Sequence, residues 1–204
     1  LGCLHIKKNA EINFGNSGTL ARLLIGILSS SPNICIKIKG DHSLNKRNMK
    51  KLIDLMSEFG ASFLPKQKNT FPLKMISSEM PIGINYKSGV SAQLKSAVIL
   101  AGLNSYGNTE IEEQITSRNH TENLLMNNKQ SIQIKKDKKK IIKITGRKYL
   151  NPISINIGGD PSSAAFFTAL TIINQNPSLK IKNVGLNPTR TGFYEILKKQ
   201  KVKI

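Results

Sequence analysis

Three stretches of this chain share one pattern of polar and apolar positions. In each, a short turn of small and hydroxyl residues runs into a dense apolar segment: Asn-Ser-Gly-Thr at 16–19 into 20–28, Ser-Ala-Gln at 91–93 into 94–103, and Asp-Pro-Ser-Ser at 160–163 into 164–173. A helix that is apolar around most of its circumference is buried, so three inner helices are expected. Met49, Leu52, Ile53, Met56 and Phe59 recur at helical spacing and give an amphipathic outer helix that Gly60 ends. Residues 117–127, with Leu124 and Leu125 on one face, and 193–199 are its counterparts. Short alternating or apolar runs predict strands at 34–39, 61–64, 71–76, 82–86, 109–113, 131–134, 140–145, 152–157 and 179–181, and residues 1–12 are strand-like. Lys135 to Lys139, four lysines around Asp137, read as the solvated tip of a hairpin.

The pattern repeats along the chain. Arg47, Arg118 and Arg190 lie 71 and 72 positions apart, and Ala21, Ala92 and Ala164 share those offsets, as do Ile53, Leu124 and Ile196. Each of the three arginines stands just before an outer helix. A period this long implies copies of one α/β unit, each too small to bury its own face. The order within a unit is inner helix, strand, outer helix and two strands. That order predicts an α/β architecture with helices packed on mixed sheets, arranged as pseudo-symmetric lobes.

Charge sharpens the reading of the three turns. A helix start offers free backbone N–H groups and the positive end of a dipole, and Ser, Asn or Asp there is an ordinary cap. Three such starts in one chain suggest a protein that collects anions. The net charge is +19, which invites a nucleic-acid reading. Against it, only five of the 31 basic residues are Arg, and Lys rises together with Ile and Asn along the whole chain, as in an AT-biased genome. Aromatics are 5% with no Trp, a poor supply for stacking bases. A solvated lysine surface and small anionic substrates are expected instead. No apolar run nears the roughly 20 residues of a membrane span. Cys3 and Cys35 lack metal-ligand spacing, and a cytoplasmic, reducing setting is expected. With no initiator Met and no leader pattern, the chain is expected to be an internal fragment.

The motifs then become specific as an ordered set. They are Asn-Ser-Gly-Thr (16–19), Gly-Asp-His-Ser-Leu-Asn-Lys-Arg (40–47), Ser-Ala-Gln-Leu-Lys-Ser-Ala-Val-Ile-Leu-Ala-Gly-Leu (91–103), Ser-Arg-Asn-His-Thr-Glu (117–122), Gly-Asp-Pro-Ser-Ser-Ala-Ala-Phe (159–166) and Asn-Pro-Thr-Arg-Thr-Gly (187–192). Together, over nearly the whole chain, they resemble the 3-phosphoshikimate 1-carboxyvinyltransferase, or EPSP synthase, family. The resemblance implies transfer of the enolpyruvyl group of phosphoenolpyruvate to the 5-hydroxyl of shikimate 3-phosphate with release of phosphate, in the shikimate pathway to chorismate and the aromatic amino acids. It implies that no metal or organic cofactor takes part. It implies a two-lobe inverse α/β barrel of repeated βαβαββ units. Residues 1–157 would be most of the N-terminal lobe, and 158–204 the crossing and the start of the C-terminal lobe.

The resemblance also implies roles. Asn16, Gly18, Arg47 and Gln93 match phosphoenolpyruvate-binding positions, and a residue larger than Gly18 would crowd glyphosate, the family's inhibitor. Ser91, Ala92, Gln93, Ser117 and Arg118 match shikimate 3-phosphate-binding positions; for Arg118 a structural ion pair is an alternative. Arg22, Lys95 and Asp160 are expected to support the site or the lobe crossing. Arg190 and His120 are expected to be structural. Asn48 stands where Pro usually follows the Arg, Asn119 where Asp usually precedes the His, and the Gly-Ala of 60–61 has no counterpart after the other outer helices. The acid–base groups are expected outside these residues, so this chain alone is expected not to turn over. The parent protein is expected to be a monomer without nucleic-acid or membrane partners. The alternatives are a UDP-N-acetylglucosamine enolpyruvyl transferase, whose loop Cys neither Cys3 nor Cys35 supplies, and a basic nucleic-acid-binding module.

Overall fold

Hydroxyl caps set where the inner helices begin. In the computed structural model, which describes residues 10–137, 139–174 and 178–202, Ser17 accepts the Leu20 N–H at 3.2 Å and Ser91 accepts the Leu94 N–H at 3.4 Å. The helices α1 (Gly18–Ser29) and α4 (Ala92–Asn104) therefore start two residues before their apolar runs do. Ala21 lies a turn into α1 whereas Ala92 is the first residue of α4, so these two alanines are not structural counterparts despite their 71-residue offset. The two compact units of the chain are Leu1–Asn151 and Pro152–Ile204.

The first unit is one plan built twice. Its first copy is β1 (Glu11–Asn13), α1, β2 (Cys35–Lys39), α2 (His42–Asn45), α3 (Lys50–Glu58), β3 (Ser62–Leu64) and β4 (Leu73–Ile76). Its second is β5 (Asn85–Ser88), α4, β6 (Asn108–Glu113), α5 (His120–Leu125), β7 (Ile132–Lys136) and β8 (Lys140–Thr145). The sheets run β1-β2-β4-β3 and β5-β6-β8-β7. In both, the first two strands are parallel and the others antiparallel. Ile36, Ile38, Phe63, Leu73 and Met75 from one sheet, and Ile111, Ile132, Ile142 and Ile144 from the other, enter one core with α1, α3 and α4. Each fully buried side chain of this size contributes about 1.5–3 kcal/mol. Solvent-side positions carry exposed ion pairs such as Lys37–Glu11 and Lys139–Glu112.

Several expectations need correction. The helix expected at 117–127 is only α5, and Leu125 packs on the core while Leu124 points outward, because adjacent residues on a helix do not share a face. The strand expected at 82–86 is an isolated Ile82–Tyr106 bridge followed by β5. Leu20 at the start of α1 is half exposed. The four-residue helix α2 was not expected; Asp41 caps it by accepting the Leu44 N–H at 2.8 Å. Residues 1–9, including Cys3 and most of the expected first strand, lie outside the described residues.

The second unit holds α6 (Pro161–Ile173) and α7 (Gly192–Lys199). Neither 152–157 nor 179–181 forms a strand; an isolated parallel bridge between Gly159 and Val184 is the pairing present among the described residues. A strand needs a ladder, and the described residues of this unit supply no neighbours for one. For the same reason α6 is not a buried helix here: Phe166, Leu170 and Ile173, on one face, are exposed. Asp160 caps α6, accepting from the Ser162 N–H, and forms an ion pair with Arg190. The Ser162 N–H, ahead of the Arg190 charge, holds the Asp160 carboxyl below its ordinary range. The outer helices α3 and α7 end alike. Ala61 N–H reaches Met56 O and Gly60 N–H reaches Ser57 O, while Val202 N–H reaches Leu197 O and Lys201 N–H reaches Lys198 O. Gly60 (φ 96°) and Lys201 (φ 59°) take the left-handed position in these Schellman ends.

Candidate functional site

The two inner helices of the first unit lie side by side and run parallel. At their starts Gln93 Nε2 donates to Thr19 Oγ1 at 2.6 Å, and at their ends Asn104 Nδ2 donates to Ser30 O. Between these, Gly26 permits the close approach: a Cβ there would lie 2.6 Å from Ala97 O. Both N-termini therefore open at the same end of the unit.

Two arginines converge on that end. Arg22, one turn into α1, reaches back to Gly18 O and across to Gln93 Oε1, each at 3.0 Å. Arg47, just beyond α2, donates to Asn16 Oδ1 at 2.8 Å. Gly18 is packed between them: a Cβ there would stand 2.8 Å from Arg22 Nη1 and 3.0 Å from Arg47 Nη1. Burial lowers the Arg22 pKa from its ordinary value, and the charge of Arg47 lowers it further. Among the described residues these guanidiniums bond to neutral oxygens, so two positive charges are left to act on an anion at the positive end of the α1 dipole. Asn16, Gly18, Arg47 and Gln93 are thus brought together, and Thr19 and Arg22 belong with them. Arg22 was expected only in support; its signal was its place one turn after the Asn-Ser-Gly-Thr cap.

Ser91 and Ala92 form the start of α4 beside Gln93. Ser117 is buried in the segment between β6 and α5, where its N–H and Oγ both donate to Glu113 Oε1, at 2.9 and 3.0 Å. Arg118 and His120 are exposed. Under the site lies an ionic cluster that sequence reasoning missed apart from Lys95. The buried Lys95 Nζ stands 2.7 Å from Glu113 Oε1 and 2.6 Å from Glu122 Oε1, and Lys140 Nζ is 2.5 Å from Glu113 Oε2. Burial pushes the Glu113 carboxyl up, but the Lys140 and Lys95 ammonium groups and the Ser117 N–H outweigh it and hold the carboxyl at about 2. Its signal was the strand period: Thr109, Ile111 and Glu113 share the inner phase of β6.

Among the described residues no group of three or more His, Cys, Asp or Glu side chains is placed to hold a metal ion, and no helix is long and apolar enough to cross a membrane. The model of the EPSP synthase (3-phosphoshikimate 1-carboxyvinyltransferase) family matches residues 2–204. A 3-phosphoshikimate 1-carboxyvinyltransferase of Novosphingobium aromaticivorans is 39% identical over 196 residues, covering 95% of this chain and 44% of that protein. One of Bacillus cereus is 39% identical over 193 residues, covering 93% and 44%. The solved EPSP synthase of Acinetobacter baumannii superposes with a TM-score of 0.77 at 36% identity, covering 94% of this chain and 43% of that one. The chain spans less than half the length of these relatives. A match along nearly every residue, on a fold that superposes, decides the assignment: the chain belongs to the EPSP synthase family.

Proposed function

We propose that the full-length protein carrying this chain transfers the enolpyruvyl group of phosphoenolpyruvate to the 5-hydroxyl of shikimate 3-phosphate and releases phosphate. The observation that carries this reading is the pair of guanidiniums flanking Gly18 at the open start of α1. Phosphoenolpyruvate brings a carboxylate and a phosphate, and planar guanidiniums suit such bidentate anions better than ammonium groups do. Asn16, Gly18, Arg47 and Gln93, with Arg22, hold phosphoenolpyruvate. Ser91, Ala92, Gln93, Ser117 and Arg118 hold shikimate 3-phosphate. The 5-hydroxyl gives up its proton as its oxygen adds to C2 of phosphoenolpyruvate, and C3 gains a proton. The resulting ketal then loses phosphate from C2 and a proton from C3, which restores the double bond. Fixed cations at the phosphate stabilise the charge that develops as it leaves. The groups that move the protons belong to other segments of the protein, so residues 1–204 by themselves do not turn over. The first unit supplies most of one lobe, and the second supplies the lobe crossing and the start of the other. The enzyme works as a cytoplasmic monomer without a metal or organic cofactor.

The test is phosphate release by the full-length protein. Release is expected with both substrates together, with neither alone, and not when UDP-N-acetylglucosamine replaces shikimate 3-phosphate. A folded protein that releases no phosphate from the substrate pair sinks this reading.

A further inference from the structure

Glu113 is a carboxylate in a place where the strand pattern calls for an apolar residue, and its two oxygens are committed in different ways. Oε2 faces Lys140 of the neighbouring strand, its register partner. Oε1 collects Lys95 Nζ from the first turn of α4 and both the N–H and the Oγ of Ser117. Ser117 sits in residues 114–119, a segment without helix or strand of its own. Glu122 neutralises the same Lys95, at 2.6 Å, yet makes no bond to Ser117 among the described residues. Both carboxylates therefore balance the charge of Lys95, whereas among the described residues Glu113 and not Glu122 anchors Ser117.

We propose that Glu113 is a positioning residue for the shikimate 3-phosphate site. One carboxylate oxygen takes Lys95 of α4 and both donors of Ser117, and so sets the spacing between the start of α4, with Ser91, Ala92 and Gln93, and the exposed Arg118 that follows Ser117, the groups that meet one phosphate. The proposal rests on the functional reading above, in which these residues bind shikimate 3-phosphate. Donors for a bound anion must be held to within about 0.5 Å by the groups behind them, and an irregular segment has no ladder to hold Ser117.

The test compares two isosteric removals of one charge from the same cluster in the full-length protein, Glu113→Gln and Glu122→Gln. Both are expected to lower stability. Only Glu113→Gln is expected to raise the KM for shikimate 3-phosphate, about tenfold, with the KM for phosphoenolpyruvate within twofold of wild type. Glu122→Gln is expected to leave both KM values within twofold. Equal effects of the two variants, or an unchanged shikimate 3-phosphate KM in Glu113→Gln, overturn the proposal. If Glu113→Gln does not fold, Glu113→Asp keeps the charge that both lysines need but shortens the reach to Ser117. It is expected to raise the shikimate 3-phosphate KM at least threefold, and no rise overturns the proposal. A wild-type protein that releases no phosphate overturns the functional reading itself, and the positioning role with it. An active wild type without the KM split overturns the positioning role alone.

Discussion

Arg47 and Glu113 show how much one side chain decides in this protein. Arg47 bonds to Asn16 through one nitrogen of its fork and leaves the rest of the guanidinium beside Gly18. A bond between charged partners contributes about 1.5–3 kcal/mol. Arg47→Ala in the full-length protein is therefore expected to lower kcat/KM for phosphoenolpyruvate roughly 10- to 150-fold in steady-state assays. Glu113 affects stability through protons. Its carboxyl lies at about 2 in the fold against an ordinary 4.5. The folded chain then binds fewer protons at this site than the unfolded chain. The stabilisation is complete above about pH 4.5 and is lost as the pH falls towards 2. Urea unfolding of wild type and Glu113→Gln between pH 6 and pH 3 should show the larger loss in wild type. The arginine was legible in the sequence because it belongs to a motif. The glutamate was not, since a charge on a strand reads as a solvent-side residue until its partners on α4, α5 and β8 are seen together.

At the scale of elements, apolar periodicity located α1, α3, α4, α6 and α7 and most strands of the first unit. Caps supplied the helix boundaries that periodicity lacked. Where the reading failed, it failed at segments whose structure depends on neighbours. Among the described residues, 152–157 have the composition of a strand but no ladder to join, and α6 has the composition of a buried helix but no sheet over Phe166, Leu170 and Ile173. Residues after 193–199 lack the Gly-Ala that follows the first outer helix. The chain instead closes α7 with a full Schellman pattern and forces Lys201 into the left-handed region. A side chain there costs roughly 1–2 kcal/mol relative to glycine. Lys201→Gly should accordingly raise the unfolding free energy by about 1 kcal/mol, measured by denaturant titration of the full-length protein.

Across the whole molecule, the repeat was legible as a period and became a topology only through the sheets, whose strand orders and pairing senses match. The copies differ in how completely they bury themselves. The 204-residue chain by itself should bind the dye ANS through the open face of α6. A version ending at Asn151 should lose most of that fluorescence. The same duplication has a consequence for the electric field. Each α-helix carries roughly half an elementary charge at each end, and most neighbouring helices in compact proteins partly cancel by running in opposite directions. Here α1 and α4 run in the same direction, with Thr19 beside Gln93 at one end and Ser30 beside Asn104 at the other. Their fields add rather than cancel. Two modest anion-friendly helix starts paired in parallel therefore work as an amplifier, and the positive pole they make lies at the end where Arg22 and Arg47 converge.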